Sequence, residues 1–413
     1  MGLHCLNGEN GSTAIARVRA STVTTTLPGR GGGRLAVVAV DDSHAALLAE
    51  FLRRVWDPSA NPESVAAARM DAAAQNVAEP GLPPPTWIAV QGDQVRGYVT
   101  TLPIRLWDGQ RTWPAYWIKG LMVLPQFRNG PIGFALLKSA VARLPRAFAL
   151  AVAPAARRLF TALGFTDLGA IPNWLRPIGL GRMLRRLDVA ELSLSGIPRR
   201  TTVLLRTVQR TAVAPVVGWV AGGVMRVAAA ALRFPATRLE AGRFDPGDRT
   251  DELELLWESA RADFPAAVVR DSRYLLARYG GRASPYVWVG ARRNGRLSGI
   301  AILRTPRPEG DPRLRGIRVA ALADLLYSPR DRLVGLALMG AVEGAARAHD
   351  ADALLATCSA PVLQRLLRHQ CYWPLPGNVH FLSRDASGEP TAVERSLADW
   401  WLTRGDGYSD EIF

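Results

Sequence analysis

The stretch Gly120-Leu-Met-Val-Leu-Pro-Gln-Phe-Arg-Asn-Gly-Pro-Ile-Gly133, continuing to Lys138, has residue types suited to holding an anion. An apolar strand pattern ends at Val123, a Gly- and Pro-containing loop follows, and helical periodicity starts near Ile132. A helix N-terminus offers N–H groups with no partner inside the helix, and the helix dipole adds positive potential there. Arg128 places a full charge in the loop. Gly130 and Gly133 let a bulky diphosphate approach the backbone. The bland alternative is a plain turn with Pro131 near the first helical position. The spacing is not G-x-x-x-x-G-K-[ST], and no acidic residue follows at dinucleotide-fold spacing, which excludes a P-loop NTPase and disfavours a nicotinamide site.

Three side chains stand out as candidate acids or bases. Tyr116 and Lys119 lie on the strand leading into the loop, where the plain readings are a core tyrosine and a solvated lysine. Asp324 interrupts the apolar run Ala320-Ala-Leu-Ala-Asp-Leu-Leu-Tyr327. A carboxylate buried there has either a raised pKa, fit for a base, or a full set of structural partners. His349, His369 and His380 lack ligand spacing, so no metal is expected. The 3 cysteines form neither a metal set nor a disulfide framework, which fits a reducing compartment and a cytoplasmic protein.

The elements that must position these groups follow from periodicity. Arg34 onward reads as a strand, Asp41 caps a helix to about Val55, and strands at Trp87–Val90, Val95–Leu106 and Thr112–Val123 form an antiparallel meander. A helix to about Leu144, a strand at Phe148–Val152, a helix from Pro154 and a strand from Gly164 complete the block. The same order recurs from Arg238 to Ser383, which predicts an internal duplication and an α+β (mixed α/β) class. The expected organisation is a disordered tail at 1–33, a first copy at 34–178, a helical basic linker at 179–236 and a second copy at 237–413. The aromatic tail from Trp400 is expected to dock on the second copy, with an acceptor groove as the other reading.

With 413 residues, 48% hydrophobic and 21% charged, the chain is globular and long enough for two or three domains. Its net charge of +15 is concentrated: between Ile171 and Arg243 stand 12 arginines against 3 acidic residues. That argues for a partner of one segment rather than for a specific nucleic-acid binder. The apolar run Thr211–Met225 is too short to span a bilayer. It reads either as a helix packed between the copies or as a peripheral membrane contact through 199–233.

Arg128-Asn-Gly-Pro-Ile-Gly133, preceded by Val123-Leu-Pro and followed by Leu159-Phe-Thr-Ala-Leu-Gly-Phe165, resembles the GCN5-related N-acetyltransferase (GNAT) superfamily, in a tandem arrangement. Pro131 stands where the first motif glycine is usual. The second copy, at Leu325-Leu-Tyr-Ser-Pro-Arg-Asp-Arg-Leu-Val-Gly335, lacks a Gly-rich loop. The resemblance implies that the first copy binds acetyl-CoA. Met122 and Val123 would hold the pantetheine through their backbone, Arg128–Gly133 would hold the diphosphate, and the acyl group would pass to an amine of a small molecule or glycan, such as an amino sugar. The usual acid of the family is a tyrosine at the position of Phe160, which cannot donate a proton; Tyr116 and Lys119 are the substitutes. Two rival readings are a Fem-type aminoacyltransferase and a non-catalytic scaffold.

Overall fold

The computed structural model describes residues 25–28, 34–55, 57–74, 76–77, 79, 81–186, 214–281, 284–307, 317–387 and 396–407. The first half contains β1 (Thr25–Pro28), β2 (Arg34–Ala39), α1 (Ala45–Val55), α2 (Pro62–Ala74), β3 (Thr86–Gln91), β4 (Gln94–Trp107), β5 (Thr112–Val123), α3 (Ile132–Val141), β6 (Arg146–Leu150), α4 (Pro154–Ala162) and β7 (Thr166–Pro177). Next come α5 (Leu180–Arg186) and α6 (Ala214–Arg233). The second half contains β8 (Glu240–Arg243), α7 (Thr250–Ala260), β9 (Ala266–Val268), α8 (Ser272–Tyr279), β10 (Tyr286–Arg293), β11 (Arg296–Arg304) and β12 (Val319–Tyr327). It ends with α9 (Arg332–Ala348), β13 (Ala353–Thr357), α10 (Pro361–His369), β14 (Trp373–Asp385) and β15 (Trp400–Trp401).

Local chemistry explains the element ends. The Asp41 carboxylate accepts from the Ser43 amide at 3.0 Å and nucleates the turn that opens α1. Asn294 and Gly295 both have positive φ, the backbone that a two-residue hairpin between β10 and β11 requires.

The strands form one mixed sheet in the order β1-β2-β3-β4-β5-β6-β14-β7-β13-β12-β11-β10-β8. Only β5/β6 and β12/β13 are parallel along this path. The final strands are exchanged: β14 of the second half pairs with β6 of the first, and β7 of the first pairs with β13 of the second. The two exchanged strands also pair with each other. At 12 and 13 residues, β7 and β14 outrun β6 and β13, which have 5 each, so the long strands find their remaining partners in one another.

This topology corrects two expectations. The tail at 1–33 is not wholly unstructured, since Thr25–Pro28 pairs antiparallel with β2; residues 1–24 and 29–33 lie outside the described residues. The expected boundary at 178–237 is also not a spatial one, because β14 of the second half pairs with β6 of the first and β7 of the first with β13 of the second. One hydrophobic core accordingly runs through both. Trp400 packs on Phe148 and Phe381 with ring centroids 5.3 and 4.9 Å apart, so the aromatic tail docks across both halves rather than on the second alone.

Candidate active site

Strand β5 pairs with β6 only at Tyr116↔Ala147 and Trp117↔Phe148. Beyond that rung the two parallel strands part and leave a V-shaped opening along Ile118–Val123. The cause is a bulge. Tyr98 pairs with Met122 and Thr100 with Lys119, so Gly120 and Leu121 together face Val99. Gly120 takes φ +67, a backbone open to glycine, and the extra residue turns β5 away from β6.

The backbone of the opening alternates. The Leu124 amide donates to the Arg96 carbonyl on β4 at 3.0 Å. Neighbouring residues of a strand direct their peptide groups to opposite edges, so those of Val123 face the opening and those of Met122 face β4. Of the two residues expected to hold pantetheine through the backbone, only Val123 is turned toward the opening.

The loop and α3 close one side of the V. A Cβ on Gly97 would lie 2.9 Å from both Ile132 Cγ2 and Leu136 Cδ1, so glycine at this position lets α3 rest directly on β4. Gly97 is also the pairing partner of Val123, which sets the N-terminus of α3 level with the end of β5. Gly133 lies between Val123 and Leu159 of α4. The amides of Arg128 and Gly130 are consumed by the turn, donating to Pro125 and Phe127. Among the described residues, no acceptor meets the amides of Asn129, Ile132, Gly133 and Phe134, and no side chain caps α3. Arg128 is exposed, and its Nε donates to the Val123 carbonyl at 3.2 Å. No acidic partner of Arg128 occurs among the described residues. Uncapped amides, a helix dipole and an unneutralised guanidinium converge on one spot, which is an arrangement for a polyanion.

The second half has the same skeleton, with the opening filled. There β12 pairs with β13 only at Val319–Leu322, and a bulge at Ala323 turns it away. The C-terminal segment enters the gap. Trp401 Nε1 donates to the Leu325 carbonyl at 2.9 Å, and Thr403 bridges to Cys358. The N-terminus of α9 is capped by Asp331, whose carboxylate accepts from the Val334 amide at 3.2 Å. An anion there would meet a carboxylate.

Tyr116 and Lys119 point to opposite faces of β5, so the structure does not bring them together. Tyr116 packs with α3 and α4 and is 3% exposed. Burial, and then the charge of Glu79, push its hydroxyl up to about 12, so it stays protonated through the physiological range. Lys119 lies on the other face, beside Thr100. Asp324 is 1% exposed and far from both. Its oxygens accept from Arg270 Nε at 2.8 Å, Tyr279 at 3.1 Å, Thr403 at 3.1 Å and its neighbour's amide. That is the setting of an anchor that pins the tail; a base at Asp324 would have to break it. Phe160 is buried edge-on against Phe165 at 5.0 Å and offers no donor.

Sequence reasoning overlooked a cluster at the end of β6. His380 on β14 neighbours Phe381, the partner of Leu150, and so stands just past the last paired residue. Its Nδ1 lies 2.9 Å from Asp167 on β7 and its Nε2 2.9 Å from Arg157 on α4. Burial alone would raise the Asp167 pKa, but the hydrogen bonds from His380 and the Gly169 amide, with the adjacent positive charge, hold it below its ordinary value. No spacing signals this group, because strand exchange assembles it. No set of residues suited to a metal occurs among the described residues.

Residues 48–165, which run from within α1 to just past α4 and include the anion loop, match the Acetyltransferase (GNAT) family. This part of the chain is similar to GNAT domains. No curated protein matches the chain in sequence. The fold is shared with a conserved protein from Enterococcus faecalis V583 described as a probable N-acyltransferase (TM-score 0.53, 10% identity, 86% of this chain and 73% of that one). It is likewise shared with a GCN5-related N-acetyltransferase from Anabaena variabilis (0.52, 12%, 85% and 73%). Saccharomyces cerevisiae N-myristoyltransferase, solved with bound myristoyl-CoA and inhibitors, is similar over 92% of this chain and 88% of its own (0.53, 12% identity). The matched family is one of acetyltransferases, enzymes that pass an acyl group from an acyl-CoA to an amine.

Proposed function

We propose that the first half binds acetyl-CoA in the opening between β5 and β6 and passes the acetyl group to an amine. The observation that carries this reading is the set of unpaired amides at Asn129, Ile132, Gly133 and Phe134 beside Arg128. They would hold the diphosphate, and the Val123 peptide group would hold the pantetheine arm. The floor of the V is made by buried Tyr116, Trp117 and Phe148, which supports a short acyl group over a long one.

The chain's own groups then account for the transfer. A neutral amine attacks the thioester carbonyl, and the inward-facing Val123 N–H would stabilise the oxyanion that forms. Collapse breaks the C–S bond, and the proton lost by the amine ends on sulfur or water. The Tyr116 hydroxyl, with its pKa of about 12, suits a hydrogen bond to the departing thiolate better than outright proton transfer to it, since a thiol titrates lower. The amine would arrive over the opposite face, where a cavity of about 150 Å³ lies between β4, β5, the α2–β3 connection and α8. Asn76, Tyr274 and Arg278 among its lining suit a small hydroxylated acceptor such as an amino sugar.

Calorimetric titration with acetyl-CoA tests the reading: one site per chain is expected, and neither heat nor a thermal shift would overturn it. A Fem-type reaction needs no diphosphate grip, and a scaffold needs no uncapped helix; the α3 N-terminus therefore supports the CoA reading over both.

A further inference from the structure

Helix α6 is built inside out for a helix that simply packs between two lobes. Its inner side is small or tied down. A Cβ on Gly218 would fall 2.6 Å from Gly181 of α5, Ala229 is fully buried, and Arg233 reaches Gln370 and Glu343 on the second half. Its outer side carries the bulk. Trp219 is 73% exposed, Val224 64%, Val227 70% and Phe234, just past the helix, 75%. Val220, Val224, Val227 and Phe234 follow helical spacing, so they form a stripe rather than scattered single residues. Bulky apolar residues this exposed and aligned along one side of a helix mark a contact surface.

Charge identifies what the surface meets. From Leu192 to Leu239 the sequence has no Asp or Glu and 7 Arg. Arg226 and Arg238 are exposed beside the apolar stripe. An acidic protein partner would suit the arginines but not the bulky apolar stripe, and an apolar protein patch would leave the arginines unanswered. A bilayer with anionic headgroups above its acyl region satisfies both. Among the described residues no helix is long and apolar enough to cross a membrane, and the inner side of α6 is fastened to the second half. The helix is thus placed to lie in the interface plane.

We propose that the outer face of α6 seats the protein on an anionic phospholipid surface, with Trp219, Val224, Val227 and Phe234 entering the headgroup–acyl boundary and Arg226 and Arg238 meeting the phosphates. Residues 199–213 of the basic segment lie outside the described residues. The inference is independent of the acyl-transfer reading, since it concerns a different surface and a different measurement.

The test is flotation of the full chain with vesicles of phosphatidylglycerol and phosphatidylcholine in equal amounts, and with phosphatidylcholine alone. The chain is expected to float with the anionic vesicles and to remain behind with the neutral ones. Val224→Asp with Val227→Asp, both exposed and so harmless to the core, should lower partitioning by at least about tenfold. Brominated lipid should quench wild-type fluorescence more than that of Trp219→Phe. Equal flotation of wild type and the double variant would overturn the proposal, as would equal binding to neutral vesicles. A wild-type dimer that the double variant converts to a monomer, without flotation, would reassign the face to self-association.

Discussion

The Gly405 amide donates to the carbonyl of Ala323 at 2.6 Å, at the bulge where β12 leaves β13. The corresponding bulge in the first half, at Gly120, opens β5 from β6. One tail residue therefore closes in the second half what remains open in the first. A Cβ at Gly405 would strike the Ala323 carbonyl at 2.9 Å and the Tyr279 hydroxyl as well. Gly405→Val should cost about 1–3 kcal/mol in chemical denaturation, the range for overpacking, while acetyl-CoA still titrates to one site per chain.

Arg128 is exposed, and among the described residues its one hydrogen bond is to the Val123 carbonyl. Arg128→Glu should leave folding stability unchanged within about 0.5 kcal/mol. It should weaken CoA by about 1.5–3 kcal/mol, as loss of a charge-assisted contact does. Titration calorimetry with CoA measures the second; an unaltered affinity would put the diphosphate elsewhere.

The Tyr116 hydroxyl has no hydrogen-bond partner among the described residues, so Tyr116→Phe removes nothing that holds the fold. Its melting temperature should match wild type. If the hydroxyl steadies the departing thiolate, turnover should drop by about 10²-fold with KM for acetyl-CoA nearly constant, and release of free thiol gives the rate.

Gly97 lets α3 touch β4, with Ile132 Cγ2 and Leu136 Cδ1 each 2.9 Å from where a Cβ would sit. Gly97→Val should lift the helix, costing about 1–3 kcal/mol in stability. Because the same helix carries the anion-binding amides, acetyl-CoA affinity should fall with it. A destabilised variant that bound acetyl-CoA normally would separate the helix from the site.

Glu343 is buried with Arg176, Arg233 and Arg347 around it. Burial would raise its pKa, yet the three arginines bring it below the ordinary value. A depressed folded pKa contributes stability above the unfolded value of about 4.3 and loses it as pH falls through the folded value. Glu343→Gln should therefore cost about 3–5 kcal/mol at neutral pH, and the difference from wild type should shrink below about pH 4. Denaturation curves at neutral and acid pH measure both, and a pH-independent difference would contradict the assignment.

The strand ending at Val123, the loop, the helix from Ile132 and the meander before them were all legible, because each is set by local periodicity and by Gly and Pro. The element order of the second half was equally plain, as was Asp324 as a carboxylate needing partners. Its actual partners were not: Arg270, Tyr279 and Thr403 come from three segments, and no sequence spacing joins them. The grouping of His380 with Asp167 and Arg157 escaped notice for the same reason.

The amino-acid order by itself determined which backbone amides stand at a helix start beside Arg128, since helix ends and turns are short-range choices of neighbouring residues. Only the tertiary structure decided which opening stays accessible and which way Trp219 and Val224 face. Those outcomes depend on which long strand pairs with which and on where the C-terminal segment packs, and such long-range pairings are chosen by the whole core at once.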